Sequence, residues 1–214
     1  MFHVRRKQTP KSVFQFLITK QPTAGGFNMH FLRTICAMAA VVVMTGCSVM
    51  APQYSASIDN VQKLKDSGDY SAKVGAFTSK PGQGNVNPIS LRGSSMNSPY
   101  QSSYAKYVEE AIKQELSLAN KMAPNANAEV SGTLLKNDLD SSGFSTGTGD
   151  IEARFVVKKQ GQILYDQVKS AHHEWPSSFA GAVAIPRAIQ EYPNLVQKLL
   201  ASLYADPAFL SALK

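Results

Sequence analysis

The chain has 214 residues, with 22 Lys and Arg against 15 Asp and Glu, a formal charge of +7 that would suggest nucleic acid if it were spread over a fold. It is not spread: Arg5, Arg6, Lys7, Lys11, Lys20 and Arg33 all precede Cys47 and no acid does, so from Cys47 onward sixteen bases face 15 acids and no basic stripe remains. Nucleic acid is excluded as a partner, and with only Cys36 and Cys47 in the chain a disulfide-stapled fold is excluded too.

Residues 1–28 are basic and end near Gly25-Gly26, just before a second methionine, Met29. They are expected to be an upstream extension, untranslated or removed, with Met29 as the true start. Residues 29–46 have the make-up of a secretory signal: Arg33 supplies charge, Ile35–Met44 are ten apolar residues, and small residues follow. Ten is about half of the ~20 that a stable membrane-spanning helix needs. Met44-Thr45-Gly46-Cys47 resembles the bacterial lipobox, with Met where Leu is commoner. The resemblance implies cleavage between Gly46 and Cys47, and lipid on the Cys47 thiol and on the new amino terminus. Two or more acyl chains hold a protein firmly, at about 0.8 kcal/mol per buried methylene. Ser48 stands where inner-membrane retention signals usually carry Asp, which implies the periplasmic face of the outer membrane. Cleavage would leave 168 of the 214 residues, enough for one domain with its own core.

Residues 47–57 read as a lipidated tether and 58–214 as a single periplasmic domain. Ile58, Val61 and Leu64 recur at helical spacing between Ser57, a fitting N-cap, and Gly68, a fitting stop. Tyr70, Ala72, Val74 and Ala76 alternate with small or polar residues, which predicts a strand with one buried face. Residues 79–103 are rich in Pro, Gly, Asn and Ser and read as a long loop, with Ile89–Gly93 as a possible short strand inside it.

Tyr104, Tyr107, Val108, Ala111, Ile112, Leu116 and Ala119 form one helical stripe, with Lys106, Glu109, Glu110 and Lys113 off it and Ser102 or Ser103 as cap. Glu129–Leu139 reads as a strand with a bulge near Leu134-Leu135. Asp140–Asp150 reads as a loop, and Ile151–Lys158 and Ile163–Trp175 as a hairpin turned by Lys159–Gln162. The stripe Ile185, Ala188, Ile189, Tyr192, Leu195, Val196, Leu199, Leu200, Leu203 keeps its phase through Pro193, so one kinked helix is expected. Asp206-Pro207 would cap a last turn or two that folds back on the domain.

These elements predict an α+β fold: a two-layer sandwich with two main helices on one face of a short, mostly antiparallel sheet of four or five strands. The order is similar to that of small periplasmic lipoproteins, such as accessory lipoproteins of lipopolysaccharide assembly, curli export or peptidoglycan synthesis. Ser90-Leu91-Arg92-Gly93 and His173–Phe179 resemble segments of uncharacterised proteobacterial lipoproteins.

Four stretches could carry chemistry. Ser103-Tyr104-Ala105-Lys106 has the S-x-x-K spacing of a nucleophile and its base, but no K-T-G follows, and Ser103 reads as a cap. On a strand only His172 and Glu174 of His172-His173-Glu174 can converge, and zinc wants three or four ligands. Gly143–Gly149 lacks the Gly-Lys-Ser/Thr ending of a phosphate loop, and Asp138 and Asp140 are too few for calcium. Trp175, Phe179 and Val183 beside a Pro-Ser turn could close the core or form an apolar partner patch.

The expected function is therefore a non-enzymatic interaction or assembly module. It would be joined to the membrane by lipid on Cys47, carry no other cofactor or metal, and meet another envelope protein or glycan. The alternative is an auxiliary lipoprotein of an envelope transporter, holding a lipid or small ligand between helices and sheet.

Overall fold

In the computed structural model, residues 48–81, 85 and 87–214 are described. The expectations for 1–28, the signal segment 29–46 and Cys47 lie outside these residues. No helix among the described residues is long and apolar enough to cross a membrane.

The elements run β1 (Ser48–Met50), α1 (Ile58–Asp66), β2 (Ala72–Ser79), β3 (Ile89–Leu91), β4 (Ser94–Asn97), α2 (Tyr104–Leu118), β5 (Ala128–Asp140), β6 (Thr146–Lys159), β7 (Gln162–Pro176), α3 (Gly181–Tyr204) and α4 (Pro207–Leu213). The main sheet has the order β2-β5-β6-β7, parallel only between β2 and β5. A parallel pair needs a crossover, and here the chain from β3 through α2 supplies it. A second, three-stranded sheet has the order β1-β4-β3.

The α+β class stands, but with four helices and two mixed sheets in place of two helices on a single sheet. The second sheet is the main correction. Part of the expected 79–103 loop forms the β3–β4 hairpin, turned by Arg92 (φ 48°) and Gly93 (φ 82°), and β1 then pairs alongside β4. Residues 48–57 are accordingly part of the fold and not a tether: Ala51 and Tyr54 are buried.

The cap assignments hold. Ser57 accepts from Asn60 N–H, Ser103 from Lys106 N–H and Asp206 from Ala208 N–H. The long C-terminal helix runs unbroken through Pro186 and Pro193. In β5 the register shifts between Leu134 and Lys136, so Leu134 and Leu139 both reach the core. In β2 the alternation fails. A register shift between Val74 and Phe77 leaves Ala76 exposed and buries Phe77, because one extra residue flips every later side chain.

That shift explains another departure. Glu109, expected off the α2 stripe, is 4% exposed because its carboxylate accepts the Phe77 N–H at 3.1 Å. Burial alone would raise its pKa, but the Lys113 and Lys106 ammonium groups and the Phe77 N–H together hold it below the ordinary value.

The core lies between the main sheet and α2 and α3. β6 alternates strictly, burying Ile151, Ala153, Phe155 and Val157 on the helix side. Tyrosines join the layers. Tyr107 meets Tyr54, Tyr100 and Tyr192 edge-on at 6.1, 5.2 and 4.9 Å between centroids. Their hydroxyls find partners, as buried polar groups must: Tyr107 donates to Pro52 O, Tyr104 to Met96 O and Tyr192 to Asn137 Oδ1. The first two bonds tie the small sheet and the segment after it to α2. Glu115, fully buried, holds the same region by accepting from Tyr54 Oη, Ser57 N and Asn60 Nδ2. Burial raises its pKa, and these three donors pull it back only in part.

Candidate functional site

At the end of the main sheet where β6 begins and β7 finishes, two loops come together, 141–145 and 177–180. Ser177 N–H donates to Ser145 O at 2.8 Å. The guanidinium of Arg92, at the tip of the β3–β4 turn, reaches both loops, donating to Phe179 O at 2.6 Å and to Gly143 O at 3.1 Å. Phe144 and Phe179 stand on top with ring centroids 5.7 Å apart, 79% and 72% exposed, and Val183 in the first turn of α3 is 56% exposed.

The expected partner patch is divided by this arrangement. Phe179 and Val183 are at the surface, whereas Trp175 is 2% exposed and lies in the core. The reason is across the strand pair. Trp175 sits opposite Gly147, where a Cβ would come within 2.4 Å of the indole nitrogen, so the glycine leaves the space that the ring fills. Gly143–Gly149 is also less of a loop than its composition suggests, since β6 already begins at Thr146.

Phe144 and Arg92 were missed as site residues. A signal was present: Ser-Ser-Gly-Phe-Ser at 141–145 and Ser-Ser-Phe-Ala at 177–180 are two short, uncharged strings with one phenylalanine each. Gly46 and Cys47 lie outside the described residues, but Ser48 pairs with Ser95 in the small sheet, and Asn97 Nδ2 donates to Ser48 Oγ at 2.7 Å.

The remaining candidates are occupied structurally. Ser103 Oγ caps α2, and Lys106 Nζ turns away to Glu109 at 2.9 Å. His172 does converge with Glu174, and Asp150 joins them: Nδ1 is 2.9 Å from Asp150 and Nε2 3.2 Å from Glu174. These carboxylates, Asp150 first, raise the His172 pKa on an exposed sheet face. His173 points to the other face and meets the buried Glu191, which Arg187 and Asn194 also hold. No group of three or more His, Cys, Asp or Glu is placed to hold a metal among the described residues. Between helices and sheet, where a ligand of a transporter auxiliary would sit, Tyr107, Ile112, Leu134, Phe155, Tyr192 and Leu199 are each fully buried and occupy the layer.

The class defined by these features is an α+β protein with a filled core and an aromatic pair exposed at one end. No protein-family model matches the chain, and no curated protein sequence matches it. Solved structures similar to it include a Xanthomonas campestris protein belonging to a family of unknown function (12% identity, 75% of this chain and 97% of that one, TM-score 0.49). Others are a candidate lipoprotein from Caulobacter crescentus (10% identity, 72% and 96%, TM-score 0.41) and a hypothetical protein of Chlamydia trachomatis (10%, 65% and 98%, TM-score 0.40). At such identities and scores none of them transfers a role to this chain.

Proposed function

We propose that the chain is a lipoprotein held to the periplasmic face of the outer membrane through acyl chains on Cys47. Its folded part is a non-enzymatic interaction or assembly module for another envelope protein or glycan. The observation that carries this reading is the placement of Ser48. The residue directly after the lipobox cysteine is already paired in a strand, so a mature chain beginning at Cys47 would need no linker between lipid and domain. The non-enzymatic part is supported by the use made of Ser103, Lys106 and Glu109, each engaged in capping or ion pairing within α2.

The test is mass spectrometry of the mature amino terminus from the native host, with membrane fractionation. Cys47 carrying diacylglycerol and an N-acyl group, in the outer-membrane fraction, is the expected result. An unmodified Cys47, or a cytosolic protein that retains residues 1–46, overturns it. Recovery of the lipidated protein with bound envelope components then identifies what the module meets.

A further inference from the structure

Four segments of the sequence, 48–58, 93–105, 141–149 and 175–186, contain no Asp, Glu, Lys, Arg or His. In the fold parts of all four are linked. The first holds β1, the second holds β4, and β1 pairs with β4. The third and fourth hold the two loops, joined by Ser177 N–H to Ser145 O. Arg92, one residue before the second segment, connects the small sheet to both loops through its bonds to Phe179 O and Gly143 O. Ser95, the partner of Ser48, is three residues from Arg92, so Ser48 lies roughly 10 Å from that turn, at ~4.8 Å between strands and ~3.3 Å per residue. Because β1 and β4 run parallel, Ser48 is the end of β1 nearer to that turn.

Exposed apolar side chains are unremarkable singly but not as a clustered, uncharged set on a fixed frame. Here the set is Phe144 and Phe179, ring beside ring, with Val183 in the first turn of α3; Val49 and Met50 on β1 are exposed as well. A surface that meets lipid must keep charged groups away from hydrocarbon and can offer rings at headgroup depth. A protein-binding patch would share an apolar centre and a polar rim, here Arg92 and Asp140; what favours lipid is Ser48, the residue after Cys47, lying near the same turn.

We propose that this end of the domain is a membrane-seating face. Phe144 and Phe179 enter the lipid surface beside the acyl chains of Cys47, fixing how the domain stands on the bilayer. The proposal rests on the lipid-anchor reading. Two cross-links, Arg92 to both loops and Ser177 to Ser145, hold the rings in place beforehand, so little ordering is needed when they insert. β7 then rises from the surface, and its far end, Ile163, stands about 40 Å from Trp175 at ~3.3 Å per residue.

The experiment uses the lipidated protein from host membranes, placed in vesicles of phosphatidylethanolamine and phosphatidylglycerol that contain nitroxide-bearing lipid. Single cysteines replace Phe144, Phe179 or, at the far end, Leu164, and each carries a nitrobenzoxadiazole label. Flotation and N-terminal mass spectrometry are read on the same samples. The expected result is flotation of all three, with quenching several-fold stronger at 144 and 179 than at 164. In a fourth protein, Phe144→Ser and Phe179→Ser with the label at Val183→Cys, quenching falls towards the level at 164 while circular dichroism is unchanged. Anchored protein whose labels at 144 and 179 stay as aqueous as at 164 overturns the seating face and leaves the anchor standing. Labels shielded only when envelope proteins are added overturn it in favour of a protein partner. Protein that does not float and carries an unmodified Cys47 overturns both readings.

Discussion

At one end of the main sheet β6 and β7 are joined by Lys159-Gln160-Gly161-Gln162, and at the other they open into the loops that carry Phe144 and Phe179. The β6–β7 turn and the β3–β4 turn are built alike: Gln160 and Gly161 have φ of 51° and 82°, Arg92 and Gly93 of 48° and 82°, the positive pair that suits a two-residue hairpin. Their surroundings differ. Near the hairpin end lie Lys73, Glu129, Lys158 and Lys159, and α4 is clamped to β7 by Asp206, which accepts from Lys169 Nζ at 2.7 Å and Tyr165 Oη at 2.9 Å. At the loop end the groups that bind the parts together are an indole packed over a glycine and a guanidinium bonded to backbone carbonyls. One end is held by charge pairs, exposed or partly buried, and the other by packing and backbone bonds beneath the exposed Phe144 and Phe179.

Removing the joint between small sheet and helices would break the comparison outright. Tyr107→Ala deletes a fully buried ring, its three edge-on aromatic contacts and the bond to Pro52 O. A loss of about 3–5 kcal/mol is expected in denaturant unfolding. Gly147→Val asks whether the loop end depends on Trp175 lying where a Cβ would be. The branched side chain has to displace the indole, at a cost of about 1–3 kcal/mol and with a change in Trp175 fluorescence.

Acid should release α4 from the strands. Asp206 has its pKa lowered to about 2, by the Lys169 ammonium first and then by Tyr165 Oη and Ala208 N–H. A depressed carboxyl pKa contributes stability that is present above about pH 4 and is lost as pH falls towards 2. Hydrogen exchange should therefore lose protection in 207–213 over that window before it does in 151–157 of β6. Asp206→Ala, which also removes the N-cap, should cost about 1–2 kcal/mol at neutral pH and abolish the difference. The smallest effect is expected from Arg92→Ala. Its two bonds go to exposed carbonyls, so stability should change by about 1 kcal/mol or less. The consequence would be local: faster proteolysis at 143–145 and at 178–180, with the hairpin end unaltered.

What the sequence alone determined was local. Ser57, Ser103 and Asp206 cap their helices because a short side-chain acceptor beside the first helical N–H groups is a matter of a few neighbouring residues. The β6–β7 hairpin and the shift after Leu134 were readable from period-two alternation and its interruption. Periodicity tells which side of an element is apolar, but it is silent on what covers that side. Only the tertiary structure pairs Ser48 with Ser95, turning an apparent tether into an edge strand. Only it buries Trp175 against Gly147 while leaving Phe179, four residues on, stacked in the open on Phe144. A tryptophan and a phenylalanine are equally apolar in sequence, and the absent Cβ of a glycine on the neighbouring strand decided which of them the core would take.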